Sequence, residues 1–173
     1  MQTDIVYNKD GDHDPCGIVF ALAQDVEAIR CGELNPEPLI LRGNVGDCIE
    51  VTLHNTLDPN YHSDLIHGYP FVPVEAPFPP SLRISMHPQL LVYDVQGSDG
   101  ATVGFNPDQT IGPGECITYR WYVDTDVGSC NLWDMADVRN HRHHGAFGIF
   151  IAEPKGPSIL IPLHANRQTL ETK

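Results

Sequence analysis

The chain has 173 residues, a length that fits one domain built around a single core. Its 10 basic and 23 acidic residues give a formal net charge of −13, which argues against a nucleic-acid partner and against an anionic membrane surface, because both need a basic face. Hydrophobic residues make up 41% of the chain, which excludes general disorder, and no apolar stretch approaches the roughly 20 residues that a membrane span requires. We therefore expect a single domain over residues 1–173.

The frequency of turn-forming residues predicts an all-β fold. Glycine and proline each occur 15 times and are spread along the chain, which favours short strands joined by turns over long helices. Near the amino terminus we predict strands at Thr3–Tyr7 and Ile18–Ala23, separated by the polar loop Asn8–Asp14. A helical turn at Asp25–Arg30 follows.

The middle of the chain carries the clearest strand signals. After a short apolar strand at Leu39–Arg42, the segment Cys48–Asn55 places Ile49, Val51 and Leu53 on one face and polar residues on the other. A proline-rich loop spans about residues 56–83, and Ile84–Asp94 resumes as strand. The segment Ile117–Val123 alternates again.

The last third of the chain predicts an irregular stretch, a closing strand and a tail. We expect Asn131–His144 to be irregular, Gly145–Glu153 to form a strand, and Ile159–Leu163 to form an edge strand within a tail over residues 155–173. The total of eight or nine strands is typical of a sandwich or a small barrel. The predicted core residues are Ile49, Val51, Leu53, Tyr119, Trp121, Ile149 and Ile151.

Several segments, in order, resemble a cupredoxin domain of the multicopper oxidase family. Pro38–Leu57 has an apolar strand, a Gly-Asp turn and a second strand, Ile111–Val123 has a proline-glycine turn before a Tyr-containing strand, and His141–Pro154 has a Gly-x-x-Gly and a terminal Glu-Pro. The stretch Ser85–Asn106 is most similar to large bacterial multicopper oxidases, including manganese-oxidising ones. The resemblance implies a cupredoxin-like Greek-key β-sandwich or barrel with long loops.

The resemblance also implies where a blue copper centre would lie. Aligning His141 and Gly145 with the family's final copper histidine and glycine puts Ala136 at the cysteine position and Ala146 at the axial position. A blue copper site needs a thiolate, two imidazoles and a weak axial ligand. Because alanine cannot ligate copper, we expect no type 1 site in this chain.

A reduced metal site remains a candidate. His87 lies where the family carries a His-x-His motif, and Gln89 stands in place of the second histidine. The cluster His141–His144 supplies further imidazoles, and if this segment is extended, His141 and His143 share one face. We therefore predict His87, His141 and His143 as candidate ligands for copper or zinc. The remaining histidines outside the polar loop are isolated and predicted to be surface residues: His54, His62, His67 and His164.

The same segment has a second interpretation. Met135 and Asp137 fall where the family's two flanking histidines belong and could complete the metal site. Alternatively, Asp134 and Asp137 pair with the neighbouring arginines, or His141 hydrogen-bonds to one of these acids, and the segment is scaffold. The sequence leaves both interpretations open.

The cysteines bear on the cellular compartment of the protein, but their positions do not determine a disulfide pairing. The chain has five, with no Cys-x-x-Cys pair: Cys16, Cys31, Cys48, Cys116 and Cys130. Buried free thiols are one interpretation. One or two disulfides, favoured slightly here, would imply an oxidising compartment.

Two functional hypotheses follow from the resemblance. In the first, the chain is a component of a copper oxidase assembly with sister cupredoxin domains or subunits, and any oxidoreductase activity belongs to that complex. In the second, it is a copper-free structural module that forms a homo-oligomer through edge strands at Thr3–Tyr7 and Ile159–Leu163. A small blue-copper electron carrier is the weakest alternative. We expect an extracytoplasmic or cell- or spore-surface location, although the first 20 residues lack the order of a secretory signal peptide.

Overall fold

The computed structural model describes residues 1–60 and 81–156, and in these ranges the chain is built mainly of strands. The elements are β1 Gln2–Val6, β2 His13–Ile18, α1 Val26–Arg30, β3 Leu39–Asn44, β4 Cys48–His54, β5 His87–Pro88, β6 Val92–Tyr93, β7 Cys116–Tyr122, β8 Gly128–Trp133, a 3-10 helix His141–His144, and β9 Phe147–Glu153. The all-β prediction is confirmed. None of the helices in this part of the chain is long and apolar enough to cross a membrane.

The strands form a hairpin and two sheets. β1 pairs with β2, the four-stranded sheet has the order β3-β9-β8-β5, and the three-stranded sheet has the order β4-β7-β6. β3 runs parallel to β9, and the other neighbours are antiparallel. The β4–β7 ladder is regular from Cys48 opposite Tyr122 to His54 opposite Cys116. The alternation of apolar and polar residues in both strands explains this regular pairing, because each strand presents one face to the core.

The core contains large aromatic side chains with satisfied polar groups. Trp121, Tyr119 and Phe150 are each at most 1% exposed. The Tyr119 hydroxyl donates to the Gln109 carbonyl at 2.7 Å, and the Trp121 indole N–H donates to the Ser98 carbonyl at 3.1 Å. These bonds allow two amphipathic rings to lie in the interior without unpaired polar atoms.

The predicted core is confirmed for β4 and β7 but wrong for β9. Tyr119 and Trp121 are buried, and the predicted residues of β4 are half-buried and pack against the core cluster. In β9, however, Phe150 and Ala152 are the buried side chains, whereas Ile149 and Ile151 are only half-buried. Because β9 is apolar at almost every position, its sequence has no polar face that would reveal which side is inward.

Three predictions differ from the observed elements. The second strand is His13–Ile18, not Ile18–Ala23, and it forms a hairpin with β1. Ile84–Asp94 is not continuous: it contains two short strands, and Ile84 makes an isolated bridge to Ile111. Part of the predicted irregular stretch is strand β8. Most of the proline-rich loop (61–80) and the predicted strand Ile159–Leu163 lie outside the described residues, as does most of the tail.

The face assignment in β9 gives a stability test. Phe150→Ala should lower the free energy of unfolding by about 3–5 kcal/mol, because it removes a fully buried ring and leaves a cavity. Ile149→Ala, one residue away on the same strand, should cost clearly less, since Ile149 is half-buried. Urea unfolding of both variants checks the assignment. Equal losses, or a larger loss for Ile149→Ala, would contradict it.

Candidate functional site

The segment between β8 and β9 (residues 134–146) carries most of the candidate residues. Its histidines lie on a 3-10 helix, not on an extended segment, so the expected shared face of His141 and His143 is wrong. In a 3-10 helix residues three apart lie on one side: His141 is buried and His143 is exposed. Gly145 ends the helix at φ 101°, and a Cβ there would come within 3.0 Å of the Ile18 carbonyl, so this position requires glycine.

His141 is fully buried, and both of its ring nitrogens have partners. Nδ1 lies 3.0 Å from Oδ2 of Asp134, and Nε2 lies 2.7 Å from the Ser81 carbonyl oxygen. The Ser81 carbonyl can only accept, and an ionised carboxylate can only accept. The geometry therefore suits a doubly protonated imidazolium that donates to both.

Asp134 is the acceptor around which this segment is arranged. It is 0% exposed. Its Oδ1 accepts from the backbone N–H of Ser85 at 2.8 Å and of Ala136 at 3.2 Å, and its Oδ2 accepts from the N–H of Asp137 at 2.9 Å. With His141, these bonds join the end of β8, the following loop and the segment that precedes β5.

Asp137 forms a second, less buried link. Its carboxylate accepts from the Ser81 backbone N–H at 2.9 Å and from the backbone and side-chain nitrogens of Asn140 at 3.1 and 2.8 Å. Its own carbonyl accepts the His141 N–H at 3.0 Å. Ser81 thus contacts both His141 and Asp137, and the carboxylate of Asp137 is committed to capping the loop.

These contacts shift two pKa values in opposite directions. Burial opposes the charged form of His141, but the hydrogen bond and charge of Asp134, the charge of Asp137 and the Ser81 carbonyl together raise its pKa above the ordinary value. For Asp137, burial acts upward, but hydrogen bonds from Asn140 and Ser81 and the charge of His141 lower the pKa. Both shifts therefore favour the charged forms of His141 and Asp137.

His87 belongs to a different cluster. Its Nδ1 lies 2.7 Å from the Asp99 carbonyl oxygen and 2.9 Å from Asp99 Oδ1, and its ring packs edge-on against Tyr93 with centroids 5.6 Å apart. Burial, followed by the charge and hydrogen bond of Asp99, raises the pKa of Tyr93. Asp99 is held in turn by Gln109, whose side-chain oxygen accepts its N–H at 2.7 Å.

The other candidates have separate surroundings. Met135 is 36% exposed, and its N–H donates to the Ser85 hydroxyl at 3.0 Å. The expected pairing of the loop acids with Arg142 is not seen: its guanidinium lies 4.1 Å from the centroid of the Trp133 ring, a cation–π contact. His144 binds Asp14 of β2 at 2.7 Å and so ties the 3-10 helix to the amino-terminal hairpin.

The structure thus brings some candidates together and holds others apart. His141 and Asp137 are joined, whereas His87 is bound to Asp99. Within residues 1–60 and 81–156, no group of three or more His, Cys, Asp or Glu side chains is arranged to hold a metal ion.

The disulfide prediction is wrong for this structure, because all five cysteines are free. Cys130 is buried in β8, where desolvation raises the pKa of its thiol. Cys48 and Cys116 lie at opposite ends of the β4–β7 ladder, opposite Tyr122 and His54 respectively. The regular register of this ladder holds the two thiols apart.

Two contributors to the site were missed in the sequence. Ser81 acts through its backbone, which leaves no residue-type signal, and it is 60 positions from His141. Asp99 lies in a turn-rich stretch, where an aspartate next to glycine indicates only a turn. The contact between Asp137 and Asn140 could have been predicted from the sequence. An acid three residues before a backbone N–H is typical of a local side-chain cap.

Comparisons with known proteins identify the fold. No protein-family model and no curated protein sequence matches the chain. A solved copper nitrite reductase from Nitrosomonas europaea is similar over 90% of this chain and 39% of its own, with a TM-score of 0.56 and 20% identity. The match to Fet3p, a multicopper oxidase that functions in iron import, covers 68% of this chain and 18% of that one, with a TM-score of 0.47 and 21% identity. The match to a multicopper oxidase from Campylobacter jejuni covers 70% of this chain and 20% of that one, with a TM-score of 0.44 and 16% identity.

The match to the nitrite reductase, together with the strand content and the two packed sheets, confirms the expected fold: the structure is a cupredoxin-like β-sandwich. Identities of this size establish the fold alone. The chain spans 39% of the nitrite reductase and about a fifth of the two oxidases.

The two opposed pKa shifts predict a pH optimum of stability. The raised pKa of His141 stabilises the folded state fully below the unfolded value of about 6.5, and this contribution is lost as the pH rises through the folded pKa. The lowered pKa of Asp137 adds stability above its unfolded value, which is lost on acidification. Above pH 6.5 the His141 contribution to the unfolding free energy should fall by up to about 1.4 kcal/mol per pH unit until the folded pKa is passed, while the Met1 amine, whose pKa burial lowers to about 6, contributes in the opposite direction.

Urea unfolding between pH 5.5 and 9 measures this slope. His141→Gln should remove the His141 contribution to this slope, because residue 141 then no longer titrates, and the unfolding free energy of the variant should depend on pH with a more positive slope above pH 6.5 than that of the unmodified chain. His13→Gln is the matched control, since it changes an exposed histidine paired with Asp4 and should leave the slope in place. A decline that persists unchanged in His141→Gln would assign it to another group.

Proposed function

We propose that this chain is a cupredoxin-like domain of a multicopper-oxidase-type protein that lacks the blue-copper cysteine and acts as a component of a copper oxidase assembly. In this proposal the catalytic copper is held by sister cupredoxin domains or subunits. The domain contributes shape and an interface, and oxidoreductase activity belongs to the complex.

The observation that carries the proposal is the chemistry of His141. By the family resemblance this residue takes the place of a copper-binding histidine, yet both of its nitrogens face acceptors and its pKa is raised. A metal ligand must present an unprotonated nitrogen. Copper at this position would have to displace Asp134 or Ser81 and leave a buried charge without its partner, which is costly.

The residues at the other resemblance positions also do not fit a type 1 copper centre. Ala136 and Ala146 have no donor atom in their side chains. Ala146 is fully buried, and its backbone pairs with Asp134 and His141 on the same segment. The thiol nearest to Ala136 in the sequence, Cys130, lies within β8 in the core cluster, opposite Phe150 of β9.

The remaining candidate, a reduced site on His87, His141 and His143, stays a prediction. His87 is the member with the strongest support, because a carboxylate on Nδ1 is the arrangement that orients a histidine whose other nitrogen binds a metal. A copper or zinc ion held by this residue would need ligands from a neighbouring domain. That requirement agrees with an assembly.

A structural module that assembles through sheet edges is the second candidate. β4 is an edge strand, and within the described ranges no strand pairs with its outer side. The predicted amino-terminal edge is engaged on one side, since β1 pairs with β2. This module would form a homo-oligomer without copper. For either function a location outside the cytoplasm remains a prediction, and the five free thiols add no support to it.

One experiment distinguishes the two functions. The tagged chain is purified under native conditions, and its copper content and its mass in solution are measured. A component of an oxidase assembly should be recovered in a heteromeric complex with about one copper per chain or more. That copper should persist in the His87→Ala variant, because sister domains hold it. A homo-oligomer with negligible copper would favour the structural module and overturn the proposal.

A spectroscopic prediction tests the missing blue site directly. Cu(II) added in excess to the isolated chain should give no intense visible band from thiolate-to-copper charge transfer, because Ala136 and Ala146 occupy the positions that the resemblance assigns to the cysteine and the axial ligand. Visible absorption of the Cys130→Ser variant is the control for a signal from the nearest thiol. An intense band in the unmodified chain that disappears in this control would show that β8 supplies a blue-copper ligand.

A further inference from the structure

The outer face of the β4–β7 ladder carries four exposed cross-strand pairs. The pairs are Cys48–Tyr122, Glu50–Arg120, Thr52–Thr118 and His54–Cys116. The two middle pairs interact through their side chains. Arg120 donates to the Glu50 carboxylate at 2.8 Å, and the hydroxyl oxygens of Thr52 and Thr118 lie 2.9 Å apart. The terminal pair places an imidazole opposite a thiol.

The hydrogen-bond pattern shows that these are the closely spaced pairs of the ladder. The Val123 N–H donates to the Asp47 carbonyl at 3.0 Å, and the Asn55 N–H donates to the Glu115 carbonyl at 3.0 Å. In an antiparallel ladder, hydrogen-bonded pairs alternate with non-hydrogen-bonded pairs, whose Cα atoms are only about 4.5 Å apart. His54 and Cys116 form such a non-hydrogen-bonded pair, so their side chains leave the same face side by side.

The backbone next to this pair is firmly held on both strands. The Asn55 side chain is buried, and its amide donates to the carbonyls of Leu82 at 2.8 Å and Ile111 at 2.9 Å. The Gly114 N–H donates to the Asn55 carbonyl at 2.8 Å. The ladder therefore continues past His54 and fixes its position relative to Cys116, which reduces the ordering cost of binding a shared ligand.

We infer that His54 and Cys116 are the two ligands of a surface site for a soft monovalent metal ion, and that the ion is Cu(I). Binding replaces the S–H bond of Cys116 by an S–Cu bond and releases the proton to solvent, while an imidazole nitrogen of His54 donates a lone pair. The copper stays in the Cu(I) state, so the step needs no oxidant or reductant.

The choice of Cu(I) follows from the ligands and their number. Thiolates select soft ions such as Cu(I), and imidazole suits copper as well. Zinc needs four ligands, and the pair belongs to no larger metal-holding group in the described residues. The adjacent Glu115 carboxylate is engaged, because it accepts the Gly112 N–H at 2.6 Å. Cu(I) accepts two ligands in a near-linear arrangement, which a cross-strand pair can span.

The electrostatic surroundings permit a cation at this position. The next pair along the face, Thr52–Thr118, is uncharged, and the pair after it balances Glu50 against Arg120. The chain as a whole carries a formal net charge of −13. The inference uses no residue of the segment between β8 and β9, so it is independent of the proposed function.

The same ladder provides a matched control. Cys48 is exposed on the same face and lies in a pair of the same kind, but its partner is Tyr122, which gives a metal no imidazole. If the imidazole completes the site, Cys116 should hold Cu(I) much more tightly than Cys48. Tyr122→His should give Cys48 the missing ligand.

Cysteine alkylation tests the inference. The chain is treated with iodoacetamide under anaerobic conditions in which a chelator sets the free Cu(I) concentration, and the alkylation of each cysteine is measured on its own peptide. In the unmodified chain, Cys116 should be protected at a free Cu(I) concentration that leaves Cys48 reactive. His54→Ala should shift the protection of Cys116 to at least about 100-fold higher Cu(I), because even outer-shell changes cost a metal site about 10–100-fold in affinity. Tyr122→His should lower the Cu(I) concentration that protects Cys48.

The outcomes are decisive in both directions. Equal protection midpoints for Cys116 and Cys48 in the unmodified chain would overturn the inference, as would an unchanged midpoint in His54→Ala. Circular dichroism confirms that each variant is folded. Should His54→Ala unfold, Tyr122→His still decides, since failure to protect Cys48 would show that a cross-strand imidazole adds no affinity on this sheet.

Discussion

The buried carboxylate of Asp134 is the constraint on which the candidate region depends. It accepts N–H groups from Ser85, Ala136 and Asp137 and faces His141, so one side chain organises the end of β8, the following loop and the segment before β5. An ionised carboxylate in the interior is tolerated only when it is paired and hydrogen-bonded. The position of every partner is therefore fixed by the need to keep this charge satisfied.

That constraint competes directly with metal binding. A metal centre and a buried ion pair both hold a loop by drawing several side chains to one point, but they need opposite protonation states of the imidazole. Both ring nitrogens of His141 face acceptors, and breaking a buried pair by removing one partner costs about 3–5 kcal/mol. A buried ion pair centred on a carboxylate can therefore hold this loop of a cupredoxin-like fold by itself, which illustrates that fold and chemistry are separate properties.

The sequence predicted the fold well where strands have one polar face and poorly elsewhere. The alternation in β4 and β7 identified both strands and their inward sides, because burial and exposure alternate with the pleat. β9 is apolar on both sides, so its inward residue, Phe150, could not be separated from Ile149. In the loop, spacing singled out His141, but its role depends on Ser81, a backbone contact 60 residues away that no local pattern encodes.

The histidines show why motif and availability must be judged separately. His141 lies in the densest imidazole cluster and is the least available of them, since it is fully buried between two acceptors. His54 is isolated in the sequence, yet the antiparallel register sets it opposite Cys116, which is 62 positions further along the chain. Clustering in the sequence therefore overestimates the availability of His141 as a ligand. It gives no indication of the position of His54 opposite Cys116, because pairing across a sheet depends on the strand register. In this fold, a metal ion bound on the exposed face of the β4–β7 ladder would not have to displace a buried ion pair.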